Sequence, residues 1–171
     1  MKFRYLVLSF IIFTSLSGCL KDKPAVDFST VGTIIEILPP NGGGLENFDA
    51  AALKFDATDV LDSADIDLNI ASPKPLNKGL TITLAVNDAL RSAYNTANGT
   101  AYEAMPDSVY LFSVKTGVIG AGQQLDTVRI AFYPSKINPS KNYMLPVSIQ
   151  DAQGETISGN FGDIYFHTNA Q

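Results

Sequence analysis

Along most of the chain apolar and polar residues alternate with a period of two, the spacing of a strand with one dry and one wet face. In Ala64-Asp65-Ile66-Asp67-Leu68-Asn69-Ile70 the inward set is Ile66, Leu68 and Ile70, and in Gly79 to Val86 it is Leu80, Ile82, Leu84 and Val86. These two segments, joined by a turn from Pro73 to Lys78, are expected to pair antiparallel. Val31 to Leu38 is rich in β-branched residues and stops at Pro39-Pro40-Asn41-Gly42-Gly43-Gly44, a run that ends a strand and makes a loop. Val109 to Val114, Gly117 to Ile119, Asp126 to Tyr133, Tyr143 to Gln150 and Gly162 to Thr168 repeat the alternation between Gly, Pro, Asn and Ser boundaries. Only one segment breaks the rhythm. Asn87 or Asp88 can cap a short helix carrying Ala89, Leu90, Ala93 and Tyr94, which Asn98-Gly99 ends, and it reads as a crossover. About seven or eight strands with one helix predict an all-β fold, an immunoglobulin-like antiparallel β-sandwich. Pro146 cannot donate to a ladder, so it is expected at an edge or a bulge.

The first residues follow a different pattern. Lys2 and Arg4 precede an apolar run from Tyr5 to Phe13, broken by Ser9, and Leu16-Ser17-Gly18-Cys19 closes it. A bilayer span needs about 20 apolar residues, and this run falls short of that, as the core of a signal peptide does. Leu-Ser-Gly-Cys resembles the lipobox of bacterial lipoproteins, which implies cleavage after residue 18 and acylation of Cys19. Residues 19–29, polar with Pro24, are then a lipidated tether, and residues 30–171 a single sandwich domain. Several acyl chains, each contributing about 0.8 kcal/mol per buried CH₂, hold such a protein stably on a membrane. Lys21-Asp22 partly resembles the charged signal that sends some Bacteroidetes lipoproteins outward. That points to the cell-surface side of the outer membrane, with its periplasmic face as the other position.

The full chain carries 12 Lys and Arg against 17 Asp and Glu. Losing Lys2 and Arg4 with the signal peptide takes the net charge from −5 to about −7. Such a balance argues against nucleic acid, whose binding rewards clustered basic residues. The length suits one domain with a full core, needing neither disulfide nor metal, and no internal repeat is visible. Lipidation uses the single Cys, which removes it from catalysis.

Candidate chemistry is sparse. The glycine run lacks the Lys-Ser/Thr and helix that a phosphate loop requires. Asp56, Asp59, Asp62, Asp65 and Asp67 could suggest calcium, but their spacing lacks the Gly and terminal Glu of an EF-hand, so a solvated strand face is the simpler reading. His167 is the single histidine and is expected on an outer strand face, so Ser/His/Asp and zinc arrangements are hard to assemble. A carboxylate-based hydrolase needs two acids facing each other at about 5 to 10 Å, and nothing singles out a pair among Asp56, Asp59, Glu103, Asp107 and Asp163. No enzyme, metal site or cofactor is expected. Sugar binding stacks an aromatic face on a pyranose ring and surrounds it with amides. Tyr94, Asn95, Asn98 and Tyr102, around the helix and its turn, are the residues placed to do so, and framework packing is the alternative for the same four.

Several pieces follow one another in order: Val86-Asn87-Asp88, Tyr94-Asn95, Asn98-Gly99-Thr100-Ala101-Tyr102, Met105-Pro106, Val118-Ile119-Gly120-Ala121-Gly122 and Asn142-Tyr143-Met144-Leu145-Pro146-Val147. The series resembles a Bacteroidetes surface-lipoprotein domain of unknown function over about residues 30–168. In that family the domain stands ahead of glycan-binding or family 18 glycoside-hydrolase-like domains, near outer-membrane glycan-uptake systems. The resemblance implies a non-catalytic accessory module that binds a glycan or an uptake protein. The alternative is a structural or adhesive subunit of a surface assembly with no small-ligand site. Because the sequence stops at Gln171, no second domain is expected.

Overall fold

The computed structural model describes residues 32–39 and 50–168. The expected signal peptide, Cys19, the expected tether and the glycine run lie outside them. In chain order the elements are β1 (Ile34–Ile37), β2 (Ala50–Ala52), β3 (Asp62–Ala71), β4 (Leu80–Val86), α1 (Asp88–Asn98), β5 (Glu103–Ala104), β6 (Tyr110–Leu111), β7 (Thr116–Ile119), β8 (Leu125–Phe132), β9 (Tyr143–Asp151), β10 (Thr156–Ile157) and β11 (Asp163–Thr168). Two sheets form, one in the order β10-β1-β3-β8-β6 and the other in the order β2-β11-β9-β4-β7, with β5 added beside β9. Setting the short strands aside, β1-β3-β8 faces β11-β9-β4-β7, the A-B-E against G-F-C-C′ arrangement of an immunoglobulin-like sandwich.

The alternation read from the sequence becomes the core. Ile66, Leu68 and Ile70 of β3 meet Leu80, Ile82 and Leu84 of β4 and the inward residues Val128, Ile130 and Phe132 of β8, all at 3% exposure or less. Phe132 lies between Phe55 (ring centroids 5.2 Å) and Phe166 (6.1 Å), tying the two sheets together. At Gly117 on β7 a side chain would run into Leu68 and Val128, so glycine lets β7 approach the opposite sheet closely.

Four expectations need correction. β3 and β4 do not pair: β3 bonds β1 and β8, while β4 bonds β9 and β7. Both have one apolar face, and two such faces can be buried from opposite sheets as well as side by side, so alternation alone does not choose. Val109 to Val114 is not one strand, because a 3-10 turn over Asp107–Val109 leaves only Tyr110–Leu111 in the ladder. Asn87 holds the N-cap position without capping; its side chain donates to Ser148 Oγ at 3.2 Å instead. Pro146 lies in β9, which has β11 on one side and β4 on the other. It is tolerated there because the β4 ladder ends at Val86↔Val147, and the chain turning into α1 supplies Asn87 N–H to the Pro146 carbonyl at 3.0 Å. The strands that alternation did not reveal, β2, β5 and β10, are two or three residues long and all pair in parallel.

The crossover carries the functional interest. From β4 the chain forms α1, lays β5 against the start of β9, and crosses to the other sheet as β6 before returning as β7. Leu90 and Tyr94, four residues apart and so on one helix face, are half-buried, whereas Ala89 and Ala93 are exposed. Gly99, in the left-handed conformation (φ 64°), ends the helix and donates its N–H to the Asn95 carbonyl.

Candidate functional site

Strand β9 is buried on both faces. Tyr143, Leu145, Val147 and Ile149 point into the sandwich, and Met144, Pro146 and Ser148 point outward yet are also buried. Beside β9, strand β11 sends Ile164 and Phe166 inward and presents Tyr165 and His167, half-buried, on that same outer face. Tyr165 pairs with Pro146 and His167 with Met144, which places the two rings beside the covered part of β9.

The crossover adds two more rings. Tyr94 of α1 packs on Tyr165 (centroids 5.2 Å), Tyr102 packs on His167 (5.3 Å), and Tyr94 meets Tyr102 edge to face (6.1 Å). The Tyr102 hydroxyl lies 3.3 Å from His167 Nδ1. Four rings thus form one half-buried cluster. On the far side of β11 their neighbours are Ala50, opposite Tyr165, and Ala52, opposite His167. Strand β2 itself contributes only methyl groups beside these two rings.

Asn95 fixes the geometry. Its Nδ2 donates to the Tyr102 carbonyl (2.9 Å), and its Oδ1 accepts from Tyr102 N–H (2.9 Å) and from the Thr100 hydroxyl (2.8 Å). One side chain therefore satisfies both backbone groups of Tyr102 and holds the loop after α1 as a ladder partner would. Asn98, exposed at the helix end, donates Nδ2 to the Tyr94 carbonyl at 3.0 Å. Of the four residues singled out by sequence, Tyr94 and Tyr102 enter the ring cluster, Asn95 positions Tyr102, and Asn98 closes the helix.

Charges around the cluster are paired. Arg91 forms a two-pronged bond to Asp88 (2.8 and 2.7 Å) and reaches the Tyr102 carbonyl (3.1 Å). These bonds hold the Asp88 carboxyl below and the Arg91 guanidinium above their usual values. Glu103 bonds Lys141 at 2.7 Å, raising the lysine's pKa. Elsewhere Asp107 accepts from the Tyr110 hydroxyl at 3.0 Å; burial first, and this bond second, push the phenol up to about 12. Asp56 accepts from Thr58 N–H and hydroxyl, an Asx turn. Among the described residues no group of three or more His, Cys, Asp or Glu is arranged to hold a metal ion. No helix among them is long and apolar enough to cross a membrane.

Tyr165 was not among the residues singled out from sequence, and His167 was placed on an outer face without a role. The signal lay in Asp163 to Thr168: with Ile164 and Phe166 inward, Tyr165 and His167 must share the other face.

Solved structures share this fold. A candidate carbohydrate-binding protein from Bacteroides ovatus matches at a TM-score of 0.64 and 13% identity, over 80% of this chain and 36% of its own. A multidomain protein including DUF1735 from the same organism matches at 0.63 and 16%, over 78% and 44%. An auxiliary nutrient binding protein from Bacteroides thetaiotaomicron matches at 0.55 and 12%, over 86% and 48%. This chain therefore spans less than half the length of each. No curated protein matches it. A family described as an N-terminal domain matches residues 41–156, and the chain belongs to that family, a Bacteroidetes N-terminal module of unknown function.

Proposed function

We propose that this protein is a non-catalytic lipoprotein, anchored to the outer membrane through Cys19 and facing the cell surface, that serves as an accessory glycan-binding module in polysaccharide acquisition. The observation that carries this reading is the half-buried ring cluster of Tyr94, Tyr102, Tyr165 and His167. Aromatic faces beside exposed amides suit the C–H faces and hydroxyls of sugar rings. The pairing of Arg91 and Lys141 with Asp88 and Glu103 leaves no lone charge among these four to select an ionic polymer, which favours a neutral glycan. Fold neighbours that are themselves a nutrient binding protein and a candidate carbohydrate-binding protein support the same class.

The second reading, a structural or adhesive subunit joined through strand edges, draws on the exposure of Val114 and Val118 at and beside β7. Against it, Asp126 Oδ2 accepts from Val118 N–H at 2.6 Å, so the edge is blocked at that residue. Affinity electrophoresis of residues 24–171 against a panel of neutral and acidic polysaccharides, with heat-denatured protein as control, tests the choice. Retardation by a neutral glycan that Tyr94→Ala and Tyr102→Ala each remove is the expected result. No retardation on any gel would move the assignment to the structural subunit.

A further inference from the structure

One strand position of the sandwich is only partly filled. An A-B-E-D sheet sets a full strand beside the one that β8 represents, but β6 supplies two residues there, Tyr110 opposite Phe132 and Leu111 opposite Ala131. From Leu125 to Ile130, β8 has β3 on one side and no described strand on the other. Ile70 N–H bonds the Gln124 carbonyl, and Tyr133 N–H bonds the Val109 carbonyl. Even-numbered residues of β8 therefore bond β3, and odd-numbered ones turn their backbone groups the other way. Leu125, Thr127 and Arg129 thus line an edge with N–H and C=O groups that have no partner among the described residues.

Other edges are shorter or closed. β2, β6 and β10 have two or three residues each, Val118 N–H on β7 is held by Asp126, and Ser63 N–H, on the part of β3 that β1 leaves uncovered, is held by Asp62. The usual guards are missing from β8: it has no proline, its register with β3 has no bulge, and its one cation, Arg129, is bonded to Asp65. Its side chains along this edge are exposed, Leu125 by 58%. Such an edge takes up an extended chain, and a second copy of β8 fits it in length and parity. About a two-fold axis at Thr127, Thr127 faces its own counterpart and Leu125 faces Arg129 of the other copy, so every facing pair exchanges backbone bonds. Opposite Ala131, where β6 takes over, would stand Gln123, beyond the end of the other copy's β8 and in the turn closed by its N–H to the Gly120 carbonyl. An axis at Arg129 would oppose two like charges and drive Thr127 into β6, and one at Leu125 would leave Thr127 facing the turn. Thr beside Thr, and Leu125 along the stem of Arg129, are compatible cross-strand neighbours.

We infer that two copies of this protein pair antiparallel through Leu125–Arg129 of β8, joining their β1-β3-β8 sheets about a two-fold axis at Thr127. So small a contact is weak, and dilute protein is monomeric. The test is disulfide trapping of the full chain at high concentration in detergent, with Cys19→Ser so that each introduced thiol is the only one. Thr127→Cys should give a linked dimer on mild oxidation, because residues facing each other in a hydrogen-bonded pair lie about 5.5 Å apart, within disulfide reach. Arg129→Cys, about 14 Å from its counterpart, should link at least about tenfold less. Mixing Leu125→Cys chains with Arg129→Cys chains should restore linkage between the two kinds. Circular dichroism identical to the parent's shows that each variant is folded, as expected for exposed side chains. A folded Thr127→Cys chain that links no better than Arg129→Cys, or a mixture that links no better than its components, overturns the pairing. If Thr127→Cys links to another protein in the producing cells and not to itself, the edge belongs to a partner strand and the pairing fails. Polysaccharide retardation that depends on Tyr94 and Tyr102, on the other sheet, would stand in either case.

Discussion

The sandwich has two outer faces, and they are built differently. On the β1-β3-β8 face polar side chains pair across the strands: Asn69 donates to Glu36 (2.7 Å), Thr127 to Asp67 (2.7 Å) and Arg129 to Asp65 (2.7 and 3.0 Å). The Thr127–Asp67 and Arg129–Asp65 rungs meet solvent, and such exposed pairs add little stability. On the β9-β11 face the corresponding positions are Met144, Pro146, Ser148, Tyr165 and His167, and α1 with its following loop packs over them. One face is finished by water, the other by the protein's own crossover. Because a crossover can be altered without disturbing the ladder beneath it, the second face is where a binding surface could evolve on an unchanged core.

The sharpest way to break this contrast is to put a charge on each face. Met144→Asp would bury a carboxylate beneath α1 and should cost at least about 3 kcal/mol, with loss of any glycan retardation. Thr127→Lys on the other face should change stability by no more than about 0.5 kcal/mol and leave binding intact. Thermal unfolding followed by circular dichroism measures both. Equal effects would mean that the β9-β11 face is solvated like its counterpart.

A smaller effect is expected from Asn95→Ala, which removes three hydrogen bonds at Tyr102 and Thr100. The half-buried Tyr102 N–H and carbonyl lose this partner, so a loss of about 2 kcal/mol is expected. Glycan retardation should fall with it while the β1-β3-β8 face is unmoved, as amide hydrogen exchange would report. Tyr102→Phe separates ring from hydroxyl: it removes the contact with His167 Nδ1, costs about 1 kcal/mol or less, and leaves stacking in place. If retardation survives Tyr102→Phe but not Tyr102→Ala, the ring face does the binding.

The same contrast explains what the sequence could tell. In the middle of β3 and β8 the outward positions Asp65, Asp67, Asn69, Thr127 and Arg129 are polar, so the period of two locates the strand and names its wet face together. In β9 every residue from Tyr143 to Ile149 is buried. There the alternation marks a strand without revealing that a helix covers its outer side. Tyr94 and Tyr102 were legible as a pair because they flank the helix and its turn. Tyr165 belongs to a strand some 70 residues further along the chain than Tyr94, and only tertiary structure brings the two together. For Asn95 the sequence leaves ligand binding and framework packing both open, and its bonds to Tyr102 show that it positions that residue. Pairing between sheets was not legible at all, since β3 and β4 have the same pattern whether they share a sheet or face each other.

The weakest predicted effect is on the solvated face and concerns pH. The Arg129 hydrogen bond, the largest influence on Asp65, holds its carboxyl below the ordinary value of 3.8. A carboxyl depressed in the folded state binds fewer protons there than in the unfolded chain. Its contribution is therefore complete above the unfolded value, near pH 4, and is lost as the pH falls through the lower folded value. Solvent screens the pair, whose side chains are 66% and 41% exposed, so the effect must be small. Arg129→Ala should leave the unfolding temperature at pH 7 within about 2 °C of the parent, and should slightly flatten its decline below pH 4. A loss at pH 7 as large as that from Asn95→Ala would mean that the β1-β3-β8 face is held by its surface charges, and the distinction between the two faces would fail.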